Sequence, residues 1–466
     1  MPLALGPLVI PLVIACALFM EAMDSTVLVT ALPAMARDLG HDPVSLKLAV
    51  TSYVMSLGMF IPVCGWVADR FGPRTVFRTA IGIFVAGALL SASSTSLAML
   101  VVARFIQGVG GAMMVPVGRI IIFRSVPKTE FVRAMIYLTV PAQLGPIVGP
   151  ILGGFMTTYL HWRLIFLVSV PTGALAIYLA GRYIEDRREP HPGRLDWPGF
   201  ALSALGGGAA MLGLSLIDGT LIAPSTAAWM AAAGGLLLLV YVFYARHVER
   251  PLLDLRFFQI PTFNASVAGG ALFRVGLGAL PFLLPLMLQE GLGMTAFASG
   301  SITCATAFGA LFMRSMALRI LHRLGFRRVL IYNAVLSALA IAACGLFMPG
   351  TPHWLIWTVV LLGGFFPSMQ FTSLNALAYA DLDSRDVGRA TSLASVVQQV
   401  SLGMGVTVSG VALNLTRDLH GREAFLWTDF WPAFLLMGLL IVASIPITAR
   451  LPHNAGDEIT RQKSKA

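Results

Sequence analysis

Charged side chains are scarce in this chain. They make up 12% of its 466 residues, against about 25% in an ordinary soluble domain. So few charges cannot cover the surface of a water-soluble fold of this length. A hydrophobic content of 57% and a mean hydropathy of +0.81 also exclude an intrinsically disordered chain. Cysteine is almost missing. Cys16, Cys64, Cys304 and Cys344 all lie inside apolar runs and form no CxxC pair, so neither a disulfide framework nor a zinc site is expected. Histidine is rare as well, and all eight fall in loops or the tail. Histidine proton relays and an intramembrane metal site therefore have no ligands. The phosphate-binding pattern GxxxxGK[ST] does not occur, which argues against an ATP-driven pump. No loop exceeds about twenty residues, far below the roughly 50 of a small domain. Neither a catalytic domain nor a cofactor is expected, and the chain does not read as an enzyme.

What is present is a series of long apolar runs without period-2 alternation. These are spanning helices and not barrel strands, so the fold class is an all-α polytopic membrane protein. A span needs about 20 apolar residues. By that measure the first six spans fall at 8–32, 46–66, 76–93, 97–123, 131–158 and 164–184. A linker rich in charge and proline follows at 185–197, then two extra spans at 198–217 and 225–245, and a second linker at 246–261. The last six spans are 262–289, 297–318, 329–348, 354–379, 387–415 and 430–449. The expected organisation is an N-terminal six-helix bundle (1–184), linkers with two extra helices (185–261), a C-terminal six-helix bundle (262–449) and a cytoplasmic tail (450–466). The first run is too long, and too acidic, for a cleaved signal peptide and reads as a retained span.

An even number of spans puts both termini on one side, and basic residues say which. With the termini inside, only Arg37, Lys47, Arg163, Arg417 and Arg422 of the 32 Lys and Arg face outward. Arg104 and Arg274 are intramembrane, and the rest lie in inner loops and the tail. This distribution explains the net charge of +10 without invoking nucleic acid. Trp66, Trp162, Trp197, Trp354, Trp427 and Trp431 sit at span ends, where an amphipathic ring belongs. The pattern R-x-G-x-R-x-V occurs at Arg70–Val76 and again at Arg323–Val329. Its matching position in each six-span half argues for duplicated bundles, as in many secondary transporters.

A charge at the bilayer centre costs about 2.5–3.5 kcal/mol on insertion scales, so each one calls for a reason. Among 22 acids only Glu21 and Asp24 lie deep in a span. Three residues apart, they share a helix face and would titrate as a coupled pair. A carboxylate facing a cavity is a candidate proton carrier; the structural alternative is that it caps backbone or packs between helices. Arg104 and Asp24 both lie about 10–14 Å below the outer surface at 1.5 Å per residue, so they are candidate partners. Arg104 would be a fixed positive field on Asp24; a purely structural pair between the first and fourth spans stays open. Arg274 lies near the midplane, where Glu21 is at similar depth. Arg314 and Arg319 are expected to snorkel to the inner surface.

The fifth span contains LGPIVGPILGG. Gly145, Gly149 and Gly153 leave one helix face bare for close approach of a neighbour, while Pro146 and Pro150 bend the helix. Such a helix suits a surface that rocks, or one that packs tightly and stays still. The inner loop GWVADRFGPR brings Gly65, Asp69, Arg70, Gly72 and Arg74 together on a tight turn, where an acid and two arginines can lock the inner face.

GWVADRFGPR resembles the signature loop of the major facilitator superfamily. ARFIQGVGGAM is similar to its proton-transfer motif, which would make Arg104 the functional arginine. LGPIVGPILGG, including Gly154, resembles the antiporter motif, and MDSTVLVTALP, HWRLIFLVSVP and LDWPGF resemble the fourteen-span drug:proton antiporter branch, whose first-span aspartate matches Asp24. The likeness covers nearly the whole chain. It implies a major facilitator fold of two six-helix bundles plus two extra spans, fourteen transmembrane helices in all. The chain departs from the branch at Val29, where asparagine is usual, at Glu21, where a neutral polar residue is expected, and at His322, which replaces an acid in the second signature loop. The last six spans hold no deep carboxylate.

The function expected is a proton-coupled secondary antiporter of the bacterial inner membrane, exporting small lipophilic or cationic compounds such as drugs by alternating access. Asp24, Glu21 and Arg104 would couple protons, and Arg274, Asn375 and Gln399 would line the substrate cavity. The alternative is a proton-coupled carrier of one metabolite, peptide or siderophore. The partners expected are a small-molecule substrate, protons and the lipid bilayer, with no nucleic acid; the chain is read as a monomer. The 28 Phe and 21 Met would suit an adaptable pocket, or simply face lipid.

Overall fold

The structure is a computed structural model and describes residues 9–126, 130–185, 193–219, 221–249, 251–383, 386–422 and 424–452. The middle of the first linker and all but the start of the expected tail lie outside them. Among the described residues every regular element is helical. Fourteen helices among the described residues are long and apolar enough to cross a membrane. We number them α1 (Val9–Leu39), α2 (Pro43–Phe71), α3 (Pro73–Ala92), α4 (Leu97–Ser125), α5 (Arg133–Tyr159), α6 (Leu164–Tyr183), α7 (Trp197–Ser215), α8 (Pro224–His247), α9 (Pro261–Gly291), α10 (Ala296–Ala317), α11 (Phe326–Cys344), α12 (His353–Ala378), α13 (Val387–Leu419) and α14 (Trp427–Thr448). We call the end carrying most of the basic loops the inner end.

Helix length here is set by breakers as well as by apolar runs. The first span runs on past residue 32 and through Pro33 to Leu39. It stops at Gly40, whose φ of +68° suits a residue without a β-carbon. Gly72, at φ +90°, ends α2 and starts α3, with Pro73 in the first helical position. Gly325, at φ +73°, plays the same part before α11, so both halves break their helices at the repeated loop. The span α9 is uneven: two π-turns, Ala265–Gly269 and Met287–Gly291, flank the stretch that carries Arg274. Such turns concentrate at functional sites.

The helices α1–α6 meet α9–α14 mainly along two seams. At the first, α5 packs on α10 backbone to backbone. A β-carbon at Gly154 would lie 2.4 Å from the Ala296 carbonyl oxygen, and one at Gly300 only 2.0 Å from that of Pro150. At the second, α2 packs on α13, and the extra helix α7 touches both. Its partner α8 lies outside α7 and turns Trp229, Leu236 and Phe243 outward, as a lipid-facing helix should.

Four of the five basic residues expected to face outward are paired with aspartates: Lys47 with Asp218, Arg163 with Asp38, Arg417 with Asp42 and Arg422 with Asp429. Lys47, which the sequence places among the outer loop charges, is completely buried.

At the inner end the second linker is clipped to α13. Asp254 accepts hydrogen bonds from Arg256 Nε and Nη2, both at 2.9 Å, and from Arg389 Nη1 at 3.3 Å. Burial pushes the Asp254 carboxyl up, but the hydrogen bonds and charge of Arg256, with Arg389 beside them, hold it below the usual carboxylate range. A lowered pKa gives stability that is present above the unfolded value of about 3.9 and lost as pH falls through the folded value. Proteolysis of this linker should therefore be constant from pH 8 to pH 5 and rise only in stronger acid. In Asp254→Asn it should be raised throughout that range.

Candidate functional site

The first helix puts its two deep acids to different uses. Asp24 faces α4 and is 3% exposed. Arg104 Nη1 donates to Asp24 Oδ2 at 2.6 Å and to Gln107 Oε1 at 2.7 Å, while Gln107 Nε2 donates to Asp24 Oδ1 at 2.9 Å. Both carboxylate oxygens are thus engaged, and a salt bridge and an amide close a three-membered ring. Residues 104 and 107 can do this together because they are one helical turn apart on α4. The guanidinium also lies over the Tyr53 ring, 4.5 Å from its centroid, with Phe166 on another side at 5.9 Å. Aromatic faces suit a cation held away from water.

Glycines on α4 make room for this cluster. A β-carbon at Gly108 would lie 1.8 Å from Ser56 Oγ and 2.6 Å from the Tyr53 carbonyl oxygen, and one at Gly111 would lie 2.8 Å from the Tyr53 hydroxyl. Tyr53 is therefore pressed between α2 and α4. Its hydroxyl donates to Glu21 Oε1 at 3.4 Å. One tyrosine thus touches the second acid with its tip and the Asp24-bound arginine with its ring.

Glu21 is half-buried and lines a cavity of about 960 Å³ that reaches the inner-end residues Asp69, Arg119, Arg194 and Arg389, with Gln399 also on its wall. Gly65 of the signature loop lines it too. Asp69 bonds Arg124 of α4 at 2.7 Å, so it ties elements of the same half. Arg70 is exposed, Arg74 is half-buried, and Gly72 forms the break already described.

At the outer end the two halves are tied across. Arg417 pairs with Asp42. Gln289 Nε2 donates to the Thr30 carbonyl at 3.0 Å, and the Phe297 amide donates to Thr158 Oγ1 at 3.0 Å. The two halves are thus parted by a cavity toward the inner end and tied together at the outer end.

A second cavity of about 390 Å³ lies between the halves and is largely apolar. Pro146 and Pro150 of α5 line it, with Thr26, Thr30, Arg314 and Phe371. The α5 glycines turn the other way. β-Carbons at Gly145, Gly149 and Gly153 would lie 2.8 Å from the Met23 amide nitrogen, 2.0 Å from Thr26 Oγ1 and 2.5 Å from Thr30 Oγ1. That face of α5 rests directly on α1, next to the acids. Arg274 is 2% exposed, stacks 5.5 Å from the Phe371 ring centroid and donates to the Ser266 carbonyl at 3.2 Å. It forms no ion pair among the described residues, and Glu21 is engaged by Tyr53. Asn375 is exposed near the inner end of α12 and lines neither cavity.

Residues 14–406 match the family model described as Major Facilitator Superfamily. The chain belongs to the major facilitator superfamily. Among its superfamily relatives, a protein of Cronobacter sakazakii named "Putative multidrug resistance protein MdtD" is 36% identical over 97% of each chain. A protein of the same name from Salmonella typhimurium is likewise 36% identical over 97% of each. In fold, the chain is similar to the nucleoside transporter NupG (TM-score 0.65, 13% identity, 95% of this chain and 99% of that one). It is also similar to an inward-facing, unoccupied bacterial homologue of the human lysosomal transporter Spinster (TM-score 0.67, 15% identity, 94% and 95%). Both likenesses are of fold alone. As a major facilitator protein the chain is a secondary transporter and not an enzyme.

Two members of the polar cluster in this superfamily protein, Gln107 and Tyr53, are not singled out by sequence reasoning. A weak signal exists for each. Gln107 is the polar residue one turn from Arg104, and Tyr53 stands on the second span opposite the glycine-rich stretch of the fourth. Neither is charged, so neither violates the hydropathy of its span strongly enough to stand out.

Proposed function

We propose that this transporter is a proton-coupled antiporter that exports small, lipophilic compounds across the bacterial inner membrane by alternating access. The observation that carries the reading is the buried Asp24–Arg104–Gln107 ring beside a cavity that ends at Glu21. Arg104 keeps its charge at any working pH, so it is a standing counter-charge bonded to the Asp24 carboxylate. An arriving proton competes with Arg104 for the carboxylate, and loss of the proton restores the ion pair. The inward-facing form, with Asp24 on Arg104 and Glu21 on the inner cavity, fits the state after proton release. Glu21, reached through Tyr53, is the exit-side carboxylate in this scheme.

The drive is sufficient: about 1.4 kcal/mol per pH unit and about 2.3 kcal/mol per 100 mV for each charge moved. The second cavity supports a lipophilic cargo, since prolines, leucines and Phe371 make its wall largely apolar. The names of the MdtD relatives favour export of drugs. Gln399 faces the inner cavity, and Arg274 braces Phe371 from behind. The test is transport by purified protein in proteoliposomes with an imposed pH gradient and membrane potential. Substrate should accumulate against its gradient only when protons run down theirs. Equal flux with and without both driving forces would remove the proton from the mechanism.

A further inference from the structure

The extra helix pair sits at a seam. Along α7, Gly208 faces the sulfurs of Met59 and Met55 on α2; a β-carbon there would be 3.0 Å and 3.8 Å from them. Met211 presses into the bare face of α13 at Gly403, where a β-carbon would lie 1.8 Å from its Cε. Ser215 Oγ and Thr407 Oγ1 are 2.7 Å apart and both buried. The helix therefore bears on one helix from each half.

The turn that follows its outer end carries Asp218. Lys47 of α2 reaches that carboxylate at 2.5 Å, with side-chain exposures of 0% and 9%. Asn414 of α13 donates to the same Oδ2 at 3.2 Å. The lysine stem crosses α13 at Gly410, where a β-carbon would lie 2.7 Å from Lys47 Cδ. One carboxylate thus holds the outer ends of α2 and α13 at once.

We propose that the α7–α8 hairpin is a latch on the outer gate, with Asp218 as its bolt. This goes beyond the proton-coupling reading and needs only that the two halves rock. When α2 parts from α13, Lys47 leaves its slot over Gly410 and reaches water, and Asp218 can no longer bond Lys47 and Asn414 together. The closed outer face is favoured because only there is Asp218 shared between the halves. Removing the acid weakens that preference. In Asp218→Asn a closed gate buries Lys47 without its bonded counter-charge, Asp42 nearby being already paired with Arg417, whereas an open gate hydrates it.

The test uses full-length protein with its four native cysteines replaced, carrying either Val29→Cys in the outer half of α1 or Ser395→Cys on the inner cavity wall. Membrane-impermeant maleimide is applied to right-side-out vesicles for the first and inside-out vesicles for the second. Asp218→Asn should speed outer labelling of Val29→Cys roughly ten-fold and slow inner labelling of Ser395→Cys. Asn414→Ala should shift both rates in the same directions by less, and serves as the readout if Asp218→Asn does not reach the membrane. Unchanged rates in the variant read would overturn the latch. So would faster labelling from both faces, which marks general loosening.

Discussion

Asp24→Asn should abolish uphill transport while leaving the transporter folded and able to bind its cargo. With a gradient of about two pH units and no membrane potential, one-for-one exchange supports about a hundredfold accumulation ratio. The variant should fall to a ratio near one. Asparagine is nearly isosteric, and its oxygen can still accept from Arg104, as Asp24 Oδ2 does at 2.6 Å. Its NH2 meets Gln107 Nε2, which donates to Asp24 Oδ1 at 2.9 Å in the native protein, so the Gln107 amide must turn over. Arg104 loses its counter-charge, at some cost in stability. Asparagine cannot take up and release a proton. Substrate counterflow, which needs no proton cycle, is expected to survive. The comparison separates coupling from folding and binding: a variant that still concentrates substrate against its gradient would remove Asp24 as the carrier. Glu21→Gln should act differently. Glu21 touches the inner cavity, so its loss is expected to slow turnover without erasing the driving force.

Arg104→Ala should be the more damaging change to stability. It leaves Asp24, 3% exposed, with Gln107 alone among its bonded partners. Breaking a buried ion pair from one side costs about 3–5 kcal/mol, because the remaining charge stays buried without compensation. The cation over the Tyr53 ring is lost too. Thermal unfolding in detergent should show a marked drop for Arg104→Ala. The double variant Asp24→Asn with Arg104→Met should recover much of it, since it strands no charge and refills the space. Transport should not return. Equal thermal stability of Arg104→Ala and the native protein would mean that Asp24 is hydrated or protonated in place, and the buried-pair description would then fail.

Counting about 1.5 Å per residue from the outer ends of their helices is enough to match Asp24 with Arg104. Such counting gives depth along the membrane normal. It carries no information on rotation about the helix axis, and rotation decides the rest of the site. Depth alone makes Glu21 a candidate partner for Arg274. In the folded chain Glu21 turns to Tyr53 and the inner cavity, and Arg274 turns to Phe371 and the Ser266 carbonyl. Asn375 has the polarity of a cavity residue, but its position on α12 leaves it exposed and off both cavity walls.

From the sequence by itself come the fourteen spans, the placing of the repeated loops and the short list of intramembrane charges. These depend on what water and hydrocarbon each accept, and that is a property of residues in order along the chain. Tertiary packing alone decided which acid is sealed on Arg104 and which one meets the inner cavity. It also decided that Lys47 is buried across α13 and that α7 bears on both α2 and α13 at their seam. Those outcomes depend on how helices of similar hydropathy turn and fit against one another. A glycine on one helix makes space for a side chain on another hundreds of residues away, and hydropathy cannot register that fit.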